Sequence, residues 1–281
     1  MKKIFEMFGI LLFTGFSFFY TEKVSNIIKS KDPIMLKINN IKDSNTKEVI
    51  KPVINNDEYI TGLNGCEIDV KKSYEKMKNY GEFKNELLVM KEVENREIKD
   101  KYIVGGNKLE KKVSFLFIIR DNIDENIMNY IKNKNIKVNY FIDQDFLENN
   151  TLLIKFMSKE SNIYYLGKDS KYIDRYMLFA NNLIQSNSSN MPNYCILEDK
   201  NDEYLRVCSD YNMKTIKTDY IKNDIFDNVK KTLKNGAIIA IDSNDYEKIK
   251  LSLNYALSRG YNIVSLDELL SQNNKCKQWT F

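Results

Sequence analysis

The residues best placed to do chemistry are four aspartates at or just after predicted strand ends: Asp121, Asp143, Asp169 and Asp242. In folds built on parallel strands, the carboxyl ends of the strands form the functional face. Carboxylates gathered there would bind calcium or magnesium rather than zinc, because these hard cations prefer oxygen ligands. A second interpretation stays open, since Asp143, Asp169 and Asp242 each precede a helical segment and aspartate commonly caps helices and turns.

Histidine is absent from all 281 residues of the chain. This absence removes the most frequent general acid or base and the commonest zinc ligand. Ser170, Ser243 and Cys195 therefore lack the histidine that a Ser–His or Cys–His dyad requires.

The four cysteines do not form a metal-binding or redox motif. None of them has C-x-x-C spacing, so neither a zinc ribbon nor a thioredoxin-type site is predicted. We expect buried free thiols. A bridge between Cys195 and Cys208 stays open for a chain outside the cytosol.

The elements that must position these residues begin at Lys111, where apolar runs start to alternate with amphipathic segments. Residues 113–119, 137–142 and 237–241 are runs typical of strands buried on both faces. The alternation predicts an α/β fold with a mostly parallel sheet and about seven strand–helix units. Neither G-x-G-x-x-G nor a Walker loop follows a strand. Pattern alone leaves a barrel and an open sheet as alternatives.

The amino terminus predicts a membrane segment. Residues 7–20 read MFGILLFTGFSFFY without a charge, after Lys2 and Lys3 and before Glu22 and Lys23. The run is short for a spanning helix and close to a signal-peptide core, but no A-x-A-like cleavage site follows it. We expect an uncleaved single-pass signal anchor in the cell membrane. The early lysines then stay in the cytosol and the main domain is extracytoplasmic.

The predicted organisation has four parts: the anchor at 1–23, a small extracytoplasmic region at 24–110, the α/β domain at 111–274 and a tail at 275–281. The charge comes from 43 basic and 39 acidic residues, which gives a net charge of +4. No long basic run is present, so nucleic acid is not a predicted partner. The predicted partners are the membrane and either a cell-wall polysaccharide or a protein.

Residues 111–270, somewhat over half of the chain, resemble the polysaccharide deacetylase family, also called the NodB homology domain. Residues 112–120 are similar to its first strand, which runs into T-F-D-D-G, and IKVNYFI at 136–142 is similar to its second, V-K-A-T-F-F-V. Gly236 to Ile241, followed by RGYNIVSL at 259–266, resembles its closing G-S-I-I-L-L-H … K-G-Y-x-x-V-T-L block. The resemblance implies a distorted (β/α)7-type barrel.

The same resemblance implies a catalytic site that this chain lacks. The family holds a divalent metal such as zinc with an aspartate and two histidines, while a second aspartate acts as base and a closing histidine as acid. The matching positions here are Ile118 and Ile119 for the aspartates, Leu166 and Ser170 for the histidine pair, and Asp242 for the closing histidine. Of the arginine–proline block, only Pro192 is retained. No catalytic residue, metal ligand or cofactor is predicted.

Three hypotheses follow for the function. The first is an anchored, deacetylase-like protein without metal-dependent activity. It would bind cell-wall glycan or a partner protein at the face that corresponds to the family's active site. The second is a carbohydrate deacetylase or hydrolase that acts on carbon–nitrogen bonds through a non-standard site. The third is a structural module in which Ile118, Ile119 and Leu166 fill the cleft. Tyr164, Tyr165, Tyr194 and Tyr220 lie near predicted strand ends and suit either sugar binding or the core.

Overall fold

The computed structural model describes residues 14–273 and 276, apart from 18, 22, 26, 97, 160, 168–172 and 189–190. Contacts divide the described residues into two compact units. The larger unit comprises Ile50–Leu63 and Asn95–Gln272, and the smaller one takes its residues from Met1–Val49, Asn64–Glu94 and Asn273–Phe281. This division differs from the contiguous boundary predicted at 110/111. Residues 50–63 and 95–110 belong to the larger unit, because their strands pair within its sheets.

Short strands and helices make up both units. In chain order the strands are β1 (Val53–Asn55), β2 (Glu58–Ile60), β3 (Gly65–Ile68), β4 (Met90–Val93), β5 (Tyr102–Gly105), β6 (Lys112–Ile119), β7 (Asn139–Ile142), β8 (Asn162–Tyr165), β9 (Tyr194–Leu197), β10 (Lys214–Lys217), β11 (Tyr220–Ile221), β12 (Ile238–Ile241) and β13 (Asn262–Ile263). The helices are α1 (Pro33–Lys42), α2 (Val70–Tyr80), α3 (Glu125–Asn133), α4 (Gln144–Asn149), α5 (Thr151–Met157), α6 (Ile173–Asn187), α7 (Asp202–Asp210), α8 (Ile225–Thr232), α9 (Tyr246–Ser258) and α10 (Leu266–Leu270).

The larger unit contains two sheets of mainly parallel strands. One has the order β11-β12-β6-β7-β8, with β13 paired to the start of β6. The other has the order β1-β2-β5-β10-β9, in which only the β1–β2 pair is antiparallel. The mixed α/β fold predicted from the strand–helix alternation is confirmed.

The two sheets of the larger unit are connected closely at one side and separate at the other. On one side, β10 and β11 are separated by only two residues, so the chain passes directly from one sheet into the other. On the other side, β8 and β9 share no ladder of hydrogen bonds within the described part of the chain. The rings of Tyr164 and Tyr194 pack edge to face across that gap, with centroids 5.4 Å apart. The two sheets are therefore not hydrogen-bonded to each other between β8 and β9.

Successive side chains of β6 point to opposite faces, and both faces are buried. Leu116 and Ile118 pack in the cluster between the two sheets, whereas Phe115, Phe117 and Ile119 pack in the cluster that faces the helices. Because both faces are buried, the sequence of β6 is a continuous apolar run and does not alternate between apolar and polar residues.

A buried asparagine joins β6, β7 and α10. The Nδ2 of Asn139 donates to Ser114 Oγ at 2.8 Å and to the carbonyl of Phe115 at 3.3 Å. Its Oδ1 accepts from the N–H of Leu266 at 3.1 Å, and Asn139 is fully buried. A buried polar group costs free energy unless it is hydrogen-bonded, and this side chain has three bonds.

The smaller unit packs α1 and α2 around Ile38 and Met77, beside the antiparallel pair of β3 and β4. Val70, Tyr74 and Met77 recur at helical spacing in α2, and Tyr74 and Met77 are buried. Asp32 ties the two helices together. Its carboxylate accepts from the N–H of Ile34 at 2.9 Å, from Tyr74 Oη at 3.0 Å and from Lys78 Nζ at 2.8 Å.

Two disulfides show that the expectation of buried free thiols was wrong. Cys195 of β9 is bonded to Cys208 of α7, and Cys66 of β3 is bonded to Cys276 in the carboxyl-terminal tail. The first bridge forms because α7 packs its cysteine against β9, which brings the two Cα atoms to 6.3 Å. The second lies within the smaller unit and joins residues 210 positions apart, a separation that sequence spacing does not reveal.

None of the helices in the described part of the chain is both long enough and apolar enough to cross a membrane. Of the predicted anchor run at 7–20, residues 7–13 and 18 lie outside the described residues. The anchor therefore stays a prediction.

Replacing Asn139 should expose the cost of its buried bonds. We expect Asn139→Ala to lower the free energy of unfolding by about 2–3 kcal/mol, because the Leu266 N–H loses its buried acceptor. Ser114→Ala is the matched control and should cost less, since the Asn139 amide keeps its bond to Phe115. Urea denaturation of both variants measures the difference, and equal losses would contradict this account.

The Cys195–Cys208 bridge should contribute measurably to stability. Its cysteines are 13 residues apart, and a loop of that size gives a stabilisation of about 3 kcal/mol. We expect Cys195→Ala/Cys208→Ala to lose about that amount in denaturant unfolding. Intact mass spectrometry of the unreduced wild type should show the loss of four hydrogens for the two bridges. A full complement of free thiols would contradict the structure.

Candidate functional site

The positions that resemble paired metal-site aspartates are part of the hydrophobic core. Ile118 and Ile119 end β6 and are 6% and 2% exposed. Ile118 packs between the sheets and Ile119 packs toward the helices, so the two side chains point in opposite directions. Leu166, which the resemblance predicts to match a family histidine, follows β8 and is 5% exposed within the cluster between the sheets. These positions supply packing rather than ligands.

Asp242, which the resemblance predicts to match the closing histidine, forms an ion pair with an arginine. It follows β12, and Arg120 follows the adjacent β6. The Nη2 of Arg120 lies 3.3 Å from Asp242 Oδ2, and its Nε lies 3.4 Å from the same oxygen. Asp242 is also the better shielded partner, at 16% exposed against 49% for Arg120. A cation at this carboxylate would have to compete with the guanidinium.

The other three predicted carboxylates do not join Asp242. Asp143 caps α4, with its Oδ1 accepting from the N–H of Asp145 at 3.0 Å, which confirms the helix-cap interpretation for this residue. Asp121 is exposed. Asp169 lies outside the described residues, as does Ser170. Within the part of the chain that the structure describes, no group of three or more Asp, Glu, Cys or His side chains could hold a metal ion.

An open cleft of about 260 Å³ lies at the same ends of the strands. It starts where β8 and β9 separate, since Leu166 and Gly167 follow β8 and residues 198–201 follow β9. Its floor is apolar and aromatic and its rim is polar. The lining residues are Arg120, Leu166, Gly167, Ile196, Leu197, Glu198, Asp199, Lys200, Asn201, Tyr204 and Tyr220.

Tyr204 brings a buried hydroxyl to this cleft. The residue lies in α7, whose amino terminus is capped by the Asn201 side chain, and it is 3% exposed. Among the described residues, its hydroxyl has no hydrogen-bond partner. Gly167 makes room for it: a Cβ at this position would collide with the Tyr204 Oη, and the φ of +84° also favours glycine. Burial raises the pKa of Tyr204, so the hydroxyl keeps its proton near neutral pH.

Three charged residues of the rim, Arg120, Glu198 and Lys200, each face a side chain of opposite charge. Glu198 Oε2 lies 3.0 Å from Lys222 Nζ. The Nζ of Lys200 lies 2.7 Å from Asp57 Oδ1 and 3.5 Å from Glu58 Oε1. The hydrogen bond from Lys200 to Asp57 raises the pKa of the lysine and lowers that of the aspartate. The lining of the cleft carries no net charge, because its two basic residues, Arg120 and Lys200, are balanced by Glu198 and Asp199.

The four tyrosines noted in the sequence have different positions. Tyr164 and Tyr194 are core residues of the cluster between the sheets, and Tyr165 packs on the helix side. Tyr220 lines the cleft. Burial raises its pKa, with Glu198 adding to the effect and Arg120 opposing it.

Sequence reasoning did not find Gly167, the loop at 198–201 or Tyr204. One available signal was the glycine directly after a predicted strand, which marks a close approach of another group. Nothing in the helical pattern of 202–211 distinguishes Tyr204 from an ordinary core residue.

Comparison with known sequences gives one distant relative. No family model matches the chain. The uncharacterised protein YlxY of Bacillus subtilis (strain 168) is 26% identical over 109 residues, which is 37% of this chain. The match spans only 34% of the length of YlxY.

Comparison with solved structures is more informative. Wild-type BA3943 of Bacillus anthracis, a pseudoenzyme of carbohydrate esterase family 4 (CE4), has a TM-score of 0.63 at 18% identity and covers 86% of this chain and 96% of its own. A BA3943 mutant with restored enzymatic activity has the same TM-score and identity and covers 86% of this chain and 99% of its own. PdaA of Bacillus subtilis, a family 4 carbohydrate esterase, has a TM-score of 0.53 at 17% identity. The match covers 60% of this chain and 84% of the PdaA chain. This chain therefore has a mixed α/β fold similar to that of CE4 deacetylase domains.

Metal ions should not stabilise this protein. An ion that binds the folded state but not the unfolded state raises the midpoint of thermal unfolding by mass action. We expect Zn²⁺, Co²⁺ and Mn²⁺ to leave the midpoint of the full chain unchanged, because the chain has no histidine, Ile118, Ile119 and Leu166 are apolar, and Asp242 is paired with Arg120. A saturable rise that disappears in Asp242→Asn would contradict this and would identify a metal site at that carboxylate.

Proposed function

We propose that this chain is a non-catalytic, deacetylase-like protein that binds cell-wall glycan at the strand-end face of its larger unit. The observation that carries the proposal is the contrast at that face. The positions that resemble metal ligands are filled by Ile118, Ile119 and Leu166, while an open cleft remains beside them.

The missing chemistry supports a non-catalytic role. Deacetylation in this fold uses a bound metal to activate water and an acid to protonate the leaving amine. Here the metal would have no histidine ligand, and the position of the acid carries Asp242, whose carboxylate faces Arg120. The likeness to BA3943, which is itself described as a pseudoenzyme, is consistent with a fold kept without the reaction.

The lining of the cleft supports a carbohydrate as ligand. Ligand sites are concave and mostly apolar, with a few polar groups that orient the ligand. The cleft has this character, with Leu166, Ile196 and Tyr220 in its floor and polar side chains on its rim. PdaA is a carbohydrate esterase on the same fold, which makes a sugar polymer the first ligand class to test.

The proposed location is the outer side of the cell membrane. The uncharged run at 7–20 behind Lys2 and Lys3 would anchor the chain, with the rest outside by the positive-inside rule. The two disulfides support this location, because such bonds persist in oxidising compartments.

Binding to wall material tests the proposal. The full chain, purified in detergent, is mixed with insoluble peptidoglycan and with chitin, and the bound fraction is measured after sedimentation. We expect saturable binding that falls at least several-fold in Asp199→Trp, which places a large side chain on an exposed part of the rim. Asp210→Trp, on an exposed turn of α7 outside the lining, is the matched control and should bind as the wild type does.

Two results would count against the proposal. Failure to bind either polymer would reject glycan as the ligand and leave a protein partner as the next candidate. Equal binding by the wild type and Asp199→Trp would show that the polymer attaches elsewhere.

A further inference from the structure

A groove of about 870 Å³ lies within the smaller unit. Its walls come from α1, from α2 and from the helical residues 23–25 and 27–30, which a turn at Lys31 and Asp32 joins to α1. The volume is within the range usual for ligand sites. Ser25, Lys29 and Ser30 of its lining follow closely in sequence on the uncharged run at 7–20.

The charges of the groove do not cancel. Lys29 and Lys71 line it, are exposed, and have no carboxylate within 4 Å among the described residues. A third lysine of the lining, Lys78, is paired with Asp32 at 2.8 Å. Glu75 is the one carboxylate of the lining. Two unpaired lysines against one carboxylate leave one net positive charge, which complements the single negative charge of a phosphodiester.

The other lining residues indicate what the phosphodiester carries. Asn39 and Asn79 are exposed and can donate hydrogen bonds to phosphate oxygens, while the Glu75 carboxylate can accept from a hydroxyl group. Met35 and Val70 add half-buried apolar surface. Inorganic phosphate would leave the apolar surface unused and would be repelled by Glu75. The lining therefore suits a phosphodiester that has both hydroxyl groups and an apolar portion.

An exposed apolar face beside the groove favours a lipid as the source of that phosphodiester. Val24, Ile27 and Ile28 recur at helical spacing, which places them on one face, and they are 37%, 50% and 67% exposed. Exposed lysines, Lys23 and Lys31, flank them in sequence. Apolar residues bordered by lysines are typical of a helix that lies in the interface of an anionic bilayer.

We propose that this groove binds the headgroup of an anionic phospholipid with hydroxyl groups, such as phosphatidylglycerol, while the face of Val24, Ile27 and Ile28 enters the bilayer interface. Lys29 and Lys71 would contact the phosphate. The site would hold the smaller unit against the membrane. The inference rests on the proposed location at the membrane and is separate from glycan binding by the larger unit.

The test counts the lipids that the full chain, purified in detergent, retains in native mass spectrometry. Phosphatidylglycerol and phosphatidylcholine with identical acyl chains are supplied in equal amounts, so that the acyl chains favour neither. We expect phosphatidylglycerol to be retained in about tenfold excess. Lys29→Gln/Lys71→Gln should lower that preference by about fivefold or more, since each lysine near an anionic surface contributes about fivefold in affinity. The midpoint of thermal unfolding should stay unchanged, because neither lysine has an ion pair among the described residues.

Lys31→Gln/Lys76→Gln is the matched control. It removes the same charge from exposed, unpaired lysines close in sequence to the first two but outside the lining. We expect this variant to keep the wild-type preference. Equal losses in the two double variants would overturn the groove as the site, as would a wild type without preference. Tighter binding of soluble poly(glycerol phosphate) than of dioctanoyl phosphatidylglycerol would overturn lipid as the occupant. Lys29→Gln/Lys71→Gln should bind peptidoglycan as the wild type does, so failure of the lipid site is distinguishable from failure of the proposed function.

Discussion

The packing of β6 sets what the strand-end face can do. This strand is flanked by β7 and β12, and every residue from Val113 to Ile119 is buried. Its last two side chains complete the cores on both sides of the sheet, at the positions predicted from the resemblance to match the paired aspartates of the polysaccharide deacetylase family. A buried isoleucine and an ionised aspartate require opposite surroundings, since burying an unpaired charge is far more costly than burying a methylene. The end of β6 therefore contributes apolar packing to both cores.

The cleft lies where two strands are not paired with each other, in contrast to the closely packed β6. Because β8 and β9 diverge without a hydrogen-bonded ladder in the described residues, their following loops leave a gap that Tyr164 and Tyr194 close only at its base. The Cys195–Cys208 bridge fixes α7 to β9 and so holds Tyr204 at the side of that gap. Packing, strand divergence and the disulfide together give a face with apolar side chains at the end of β6 and an open cleft beside them.

Much of the fold could be predicted from the sequence, because it is encoded locally. The apolar run at 113–119 and the period of Val70, Tyr74 and Met77 predict β6 and α2 directly. The pairing of β5 with β10 could not be predicted, since it depends on contacts between distant segments. The same holds for the bridge from Cys66 to Cys276. The absence of histidine could be seen from the sequence alone, whereas the cleft depends on how the loops and α7 pack, which no sequence motif records.

Acetate release is the measurement that tests the central claim most directly. The full chain would be incubated with N-acetylated chito-oligosaccharides and with peptidoglycan, with Zn²⁺ or Co²⁺ added and then with a chelator. The account predicts no acetate above the no-protein background under any of these conditions. Turnover that depends on the added metal and disappears with the chelator would contradict it, and would show that carboxylates such as Asp242 perform the reaction without a histidine.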